Sequence, residues 1–205
     1  MAGISGAVIT LIIILFSMIL HELAHGYMAY FLGDTTAKDD GRLTLNPLKH
    51  LDPYMSIILP MMLYFMGAPV FGGAKPVPVN RMNLKGREWG MALVALAGPL
   101  TNFLLAFLSF LVWYWSGGRA EFMFQAMSIN LGFVVFNLLP IPPLDGSRIL
   151  YVLSPDGVRG FLSSMERYGV IVVYVLILVL GGVFSNFMVG AMNGIYQFFR
   201  FIVGL

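Results

Sequence analysis

The chain has 205 residues, of which 59% are hydrophobic and only 11% charged, with three histidines, no cysteine and a net charge of +2. A globular surface needs far more charge, so the composition excludes a soluble domain and predicts a polytopic membrane protein, with residues 1–205 forming one membrane-embedded unit. The small net charge gives no ground for a nucleic-acid partner, and the absence of cysteine excludes disulfides and thiolate metal sites.

The first apolar run predicts a helix from about Ile4 to Leu32, ending near Gly33 and Asp34. No Lys or Arg precedes it, so it reads as a retained helix and not as a cleavable leader. After a mixed-charge stretch comes Tyr54 to Gly67, apolar but short and carrying Pro60. "APVFGGAKPVPVNRMNLKGREW" is too rich in Pro, Gly and charge for a helix. Further spans are expected over Gly90–Trp115 and from Phe122 to about Leu139, where the chain breaks into "FNLLPIPPLDGSRIL". The tail is apolar from Val170, and Gly181-Gly182 predicts two short helices there. In the second, Ile195, Phe198, Phe199 and Ile202 share one face, so it either crosses or lies in the interface.

Seven basic residues, from Lys38 to Arg87, lie between the first helix and the Gly90 span, and Arg148, Arg159 and Arg167 follow the third. The positive-inside rule places both regions in the cytoplasm. That requires Tyr54 to Val79 to enter and leave on one side, as a re-entrant loop made of a short helix and an extended return. Non-helical backbone at that depth must be buried in protein or line a wet cavity. The fold class is therefore all-α, with about four to six transmembrane segments plus this loop.

Ionisable groups at bilayer depth are costly and mark function by default. "HELAH" places His21 and His25 four residues apart, on one helical face, with Glu22 beside them. Zinc hydrolases use this arrangement, with both histidines on the metal and the glutamate as general base. A chance match or a polar helix contact is the bland alternative. Tetrahedral zinc needs a further protein ligand, and Asp145 is the candidate. Pro140, Pro142 and Pro143 open the backbone before it, although Asp-Gly is also an ordinary turn. With a re-entrant loop, His21 and Asp145 arrive on the same side of the membrane. Asn102 and Asn137 are the remaining amides at plausible depth, suited either to a substrate backbone or oxyanion or to helix–helix hydrogen bonds. Gly98 and Pro99 allow close helix packing. His50 has no spaced partner.

"HELAHG", "AGPLTN" and "NLLPIPPLDGSRIL", in this order, resemble the site-2 protease family of intramembrane zinc metalloproteases across essentially the whole chain. The resemblance implies one Zn2+ held by His21, His25 and Asp145, with Glu22 as base and Asn137 in the second catalytic motif. It places a membrane-inserted β-hairpin at "FGGAKPVPVN" and implies a transmembrane protein as substrate, in a prokaryotic cell membrane. Lipid and a second copy of the chain are further compatible partners. Ser147 stands where the family usually has a second glycine, and no PDZ or CBS sequence is present. In "AKPVPVN", Pro76 and Pro78 strip one edge of donors, whereas Lys75, Val77 and Val79 keep theirs. That edge can add an unwound substrate strand, or the prolines merely protect it from aggregation. The rival functions are a zinc-binding membrane chaperone that does not cleave and a metal transporter. The transporter would need acidic or histidine residues in the outer half of a span, and there are none.

Overall fold

The computed structural model describes residues 4–67 and 72–204. Helix α1 spans Ile4–Phe31. It stops at Gly33, whose φ of +104° turns the chain so that the Asp34 N–H reaches Ala29 O at 2.9 Å. A single turn, α2 (Thr36–Asp39), follows. Asp52 then caps a π-helical stretch, Pro53–Ile58, by accepting the N–H groups of Tyr54 and Met55, and α3 (Leu59–Phe65) continues it. Helices α4 (Glu88–Trp115) and α5 (Glu121–Asn137) form an antiparallel pair. After the proline-rich turn come α6 (Asp145–Leu153), α7 (Asp156–Glu166) and α8 (Gly169–Ile202).

α4 is central, packing on α1, α5 and α6. At one end Ala106, Phe110, Met127 and Leu131 enclose Phe199 of α8. At the other, Ala29, Val94 and Leu84 pack together. α1, α4 and α8 are long and apolar enough to cross a membrane, and Leu11, Ile12, Leu104 and Leu108 point outward as lipid-facing side chains do. α5, with 17 residues, spans about 26 Å, just short of a full hydrocarbon core.

The tail divides into two helical stretches as expected, one residue before Gly181-Gly182: the halves of α8 meet at a kink where Leu180 leaves helical geometry (φ −106°, ψ 17°). The buried face of the second half carries Ile195 and Phe199, while Phe198 and Ile202 are exposed. One expectation changes: the β-hairpin-like strand is absent among the described residues. Residues 72–80 run extended, but they meet their neighbours through isolated bonds and no ladder. The Lys75 N–H donates to His50 O at 2.8 Å and the Gly73 N–H to Met55 O at 3.1 Å. Residues 68–71, which include the start of the expected hairpin at Phe71, lie outside the described residues.

The far end of the extended segment is tied to α1 through Asp34, which is fully buried. Its carboxylate accepts from the Asn80 N–H at 2.6 Å, the Asn83 side chain at 3.1 Å, and the Thr36 hydroxyl at 2.5 Å. Burial opposes its ionisation, but the bonds from Thr36, Asn80 and Asn83 outweigh it and hold the carboxyl below its ordinary pKa. Segment 74–80 is therefore a strap fastened at both ends.

Candidate metal centre

His21 and His25 lie on the face of α1 that meets α4, both buried. His25 Nδ1 donates to Val94 O at 2.7 Å, and His21 Nδ1 donates to Asn102 Oδ1 at 2.5 Å. Pro99 has no N–H, so the Ala95 carbonyl next to Val94 loses its donor in α4's own ladder. With both Nδ1 atoms acting as donors, both Nε2 lone pairs face the same space and lie 3.0 Å apart. Two neutral imidazoles repel in that arrangement unless a cation joins them.

Asp145 is the first residue of α6. Its Oδ2 lies 3.2 Å from His21 Nε2 and 3.4 Å from His25 Nε2. It is buried and has no hydrogen-bond partner. Donor atoms about 2.0–2.1 Å from a tetrahedral zinc stand about 3.3 Å from one another. The three separations straddle that value, so His21, His25 and Asp145 fit a zinc ion and leave a fourth position open.

Two glycines allow this convergence. A Cβ on Gly98 would fall 2.5 Å from His25 Nε2 and 2.6 Å from His21 Nε2, so α4 backs directly onto the ligand atoms. A Cβ on Gly146 would collide with the carbonyl of Leu138. Glycine there lets α6 fold back on the end of α5 and bring Asp145 to the histidines. Ser147 is buried and donates its hydroxyl to Leu144 O at 2.7 Å, so it fits this turn.

The three groups open into a cavity of about 320 Å³. Glu22 lies on its wall, and Glu22 Oε2 accepts the Val77 N–H at 2.8 Å. Val77 and Val79 of the strap, together with Asn137 and Arg148, also line the cavity. Asn137 also donates to Phe133 O, and Arg148 is ion-paired with Glu166.

The structure thus brings together His21, Glu22, His25, Asp145, Asn137, Val77 and Val79. It separates two residues from them. Asn102 is fully buried behind His21 and does not line the cavity. Lys75 faces a second, polar cavity shared with Asp40, Arg42 and Lys49, and its N–H is already bonded to His50. Sequence reasoning missed Ser17, Asn130 and Arg148. Ser17 was findable, because it precedes His21 by one helical turn.

Relatives carry the same reading. The model of peptidase family M50 matches residues 114–181, which include Asn137 and Asp145 but not the histidine pair. The chain is 44% identical to YwhC of Bacillus subtilis over 181 residues, covering 82% of this chain and 78% of that protein. It is 35% identical to Rip2 of Mycolicibacterium smegmatis and 32% identical to Rip2 of Mycobacterium tuberculosis, each match covering 64% of the relative. All three are provisionally designated zinc metalloproteases. No solved structure matches. The identity to YwhC across most of both chains settles the relationship: this chain belongs to peptidase family M50, the site-2 protease family.

Proposed function

We propose that the protein is an intramembrane zinc endopeptidase that hydrolyses peptide bonds within or near the transmembrane segments of other membrane proteins. The observation that carries this reading is the convergence of His21, His25 and Asp145 on one point, with Glu22 on the wall of the same cavity.

Zinc held by these three residues supplies the positive charge that polarises a scissile carbonyl and acidifies water. Glu22 acts as the base. Its Oε2 is oriented by the Val77 N–H, and a carboxylate has a second oxygen with which to take a proton from water and return it to the departing amine. Asn137 offers an amide on the cavity wall for a substrate backbone or oxyanion. A helical substrate hides its carbonyls in its own hydrogen bonds, so it must unwind and lie extended. The channel between the strap (Val77, Val79) and the metal ligands suits an extended chain.

The orientation we favour puts this cavity toward the cytoplasm of a prokaryotic cell, with α5 completing a fourth crossing and the stretch from Tyr54 to Val79 entering and leaving on one side as a re-entrant loop. Two features support it: the basic residues between α1 and α4, and the backbone bond that sets Lys75 beside His50. Cysteines introduced singly at Lys49, Lys85 and Arg159 should label from the cytoplasm and one at Gly118 from outside. Labelling of positions 49 and 85 from opposite sides would overturn the loop.

Purified protein should contain one zinc per chain and cleave members of a panel of single-span substrates. Glu22→Gln should keep the zinc and lose cleavage, whereas Asp145→Ala should lose zinc. A Glu22→Gln variant that cleaves at the wild-type rate sinks the mechanism. Zinc without any cleavage by wild type would instead identify a non-cleaving chaperone.

A further inference from the structure

Behind His21 lies a chain of buried amides, Asn102 at the end of "AGPLTN" and Asn130, which lies outside all three family motifs. Asn102 Nδ2 donates to Asn130 Oδ1 at 2.8 Å. Asn130 Nδ2 donates in turn to Ser17 Oγ at 3.0 Å and to Ala126 O at 2.8 Å. Ser17 and Asn130 are each 2% exposed, and Asn102 is fully buried. The chain joins α5 to α1 through α4 and ends on a metal-ligand ring.

Its polarity runs one way. His21 Nε2 must keep its lone pair to ligate, so Nδ1 carries the proton and Asn102 must present its oxygen to it. Asn102 Nδ2 must then find acceptors on its other side. Among the described residues its acceptor besides Asn130 is Ser17 O, at 3.5 Å. Asn130 can accept from Asn102 only because Ser17 Oγ and Ala126 O take its own two hydrogens. Each amide is held against turning over by the next.

We infer that Asn130 is a positioning residue for the metal centre: it fixes which face of the Asn102 amide meets His21, and thereby which imidazole nitrogen is free to bind zinc. It touches neither metal nor substrate. Without it, the Asn102 amide loses its best acceptor. Turned over, it would place N–H groups against His21 Nδ1 and drive the ring proton to Nε2, the ligand atom. Outer-sphere partners of this kind typically alter metal affinity by about 10–100-fold. The ordinary alternative is that Asn130 only ties α5 to α1.

This inference rests on the zinc reading above, and zinc affinity separates the two. Wild type, Asn130→Leu, Asn130→Ala and Asn130→Asp are compared by chelator competition, and each is loaded with cobalt for its d–d absorption spectrum. The leucine and alanine variants remove the acceptor. In an apolar interior a carboxyl at 130 is protonated, so its carbonyl oxygen still accepts from Asn102 while its O–H donates to Ser17 or Ala126. The expected result is a loss of about tenfold or more for Leu and Ala, with altered cobalt spectra and with near-wild-type behaviour for Asp. Wild-type affinity and spectrum in either the Leu or the Ala variant overturns the inference, and so does an equal loss in all three. Wild type that binds no zinc overturns both this inference and the zinc reading, whereas zinc-binding wild type with an indifferent position 130 overturns this inference alone.

Discussion

Gly98→Ala adds one methyl group at the point where α4 backs onto the metal ligands. Its Cβ would fall 2.5 Å from His25 Nε2 and 2.6 Å from both Cε1 and Nε2 of His21. Carbon contacts are comfortable only at about 3.5–4.0 Å, so the two rings or the helix must yield by about 1 Å. A metal site holds its geometry only to within about 0.2 Å per ligand. Since Val94 and Asn102, which grip the two Nδ1 atoms, flank position 98 on the same helix, moving α4 drags the rings with it and gives little relief. Zinc affinity should fall by about 100-fold or more, equivalent to about 2.7 kcal/mol. Helix propensity argues the other way, because Ala is favoured over Gly by about 1 kcal/mol inside a helix. The two readouts should therefore separate: detergent-solubilised Gly98→Ala keeps its metal-free thermal stability while losing zinc in a chelator titration. Zinc affinity within threefold of wild type would refute the close approach of α4 to the ligand atoms.

Val77→Pro removes the N–H that holds Glu22 Oε2. Cleavage should drop by about tenfold, of the order of one lost charge-assisted hydrogen bond, with zinc content unchanged. Pro76→Ala should be mild, and equal rates in a fluorogenic assay would remove any role for that contact. Asp34→Ala strips the Asn80 N–H of its acceptor and leaves other buried donors unmet, which should cost about 1–3 kcal/mol in thermal unfolding. Because the Asp34 pKa is lowered on folding, its ionised form stabilises the fold above the ordinary carboxylate pKa. That contribution fades as pH drops below about 4. An advantage of wild type over Asp34→Asn that persists undiminished at lower pH would contradict this assignment.

The candidate histidine pair was legible because its spacing is local: four residues bring His25 under His21 on any helix. Asp145 was legible differently, because three prolines announce that the chain has left α5 before it, although the sequence did not show that it opens a new helix, α6. α1, α4 and α5 were legible to within two residues, since apolar runs bounded by glycine, charge or proline leave little choice. The role of Asn102 was not legible. It lies 81 residues from His21, and only the packing of α4 on α1 decides whether its amide faces a substrate or an imidazole. Asn130 escaped notice because a polar residue in an apolar helix has no periodic partner to mark it. The expectation that Lys75, Val77 and Val79 keep their N–H groups free along one edge does not hold for two of the three, because His50 O takes that of Lys75 and Glu22 takes that of Val77; sequence could not show partners so distant along the chain. The kink at Leu180 was legible to within one residue, because the adjacent Gly181-Gly182 weakens the helix where it bends.

The bond from Lys75 to His50, together with those from Gly73 to Met55 and from the Ser56 hydroxyl to Gly73 O at 2.7 Å, closes the hydrophobic loop at its neck. Lengthening such a loop twofold costs only about 0.6 kcal/mol of closure entropy, less than one of the bonds that clasp it. Changes in the length of this loop, as a thinner or thicker bilayer would favour, should therefore leave the bond between Val77 and Glu22 in place, which unchanged zinc content and cleavage in loop-length variants would verify.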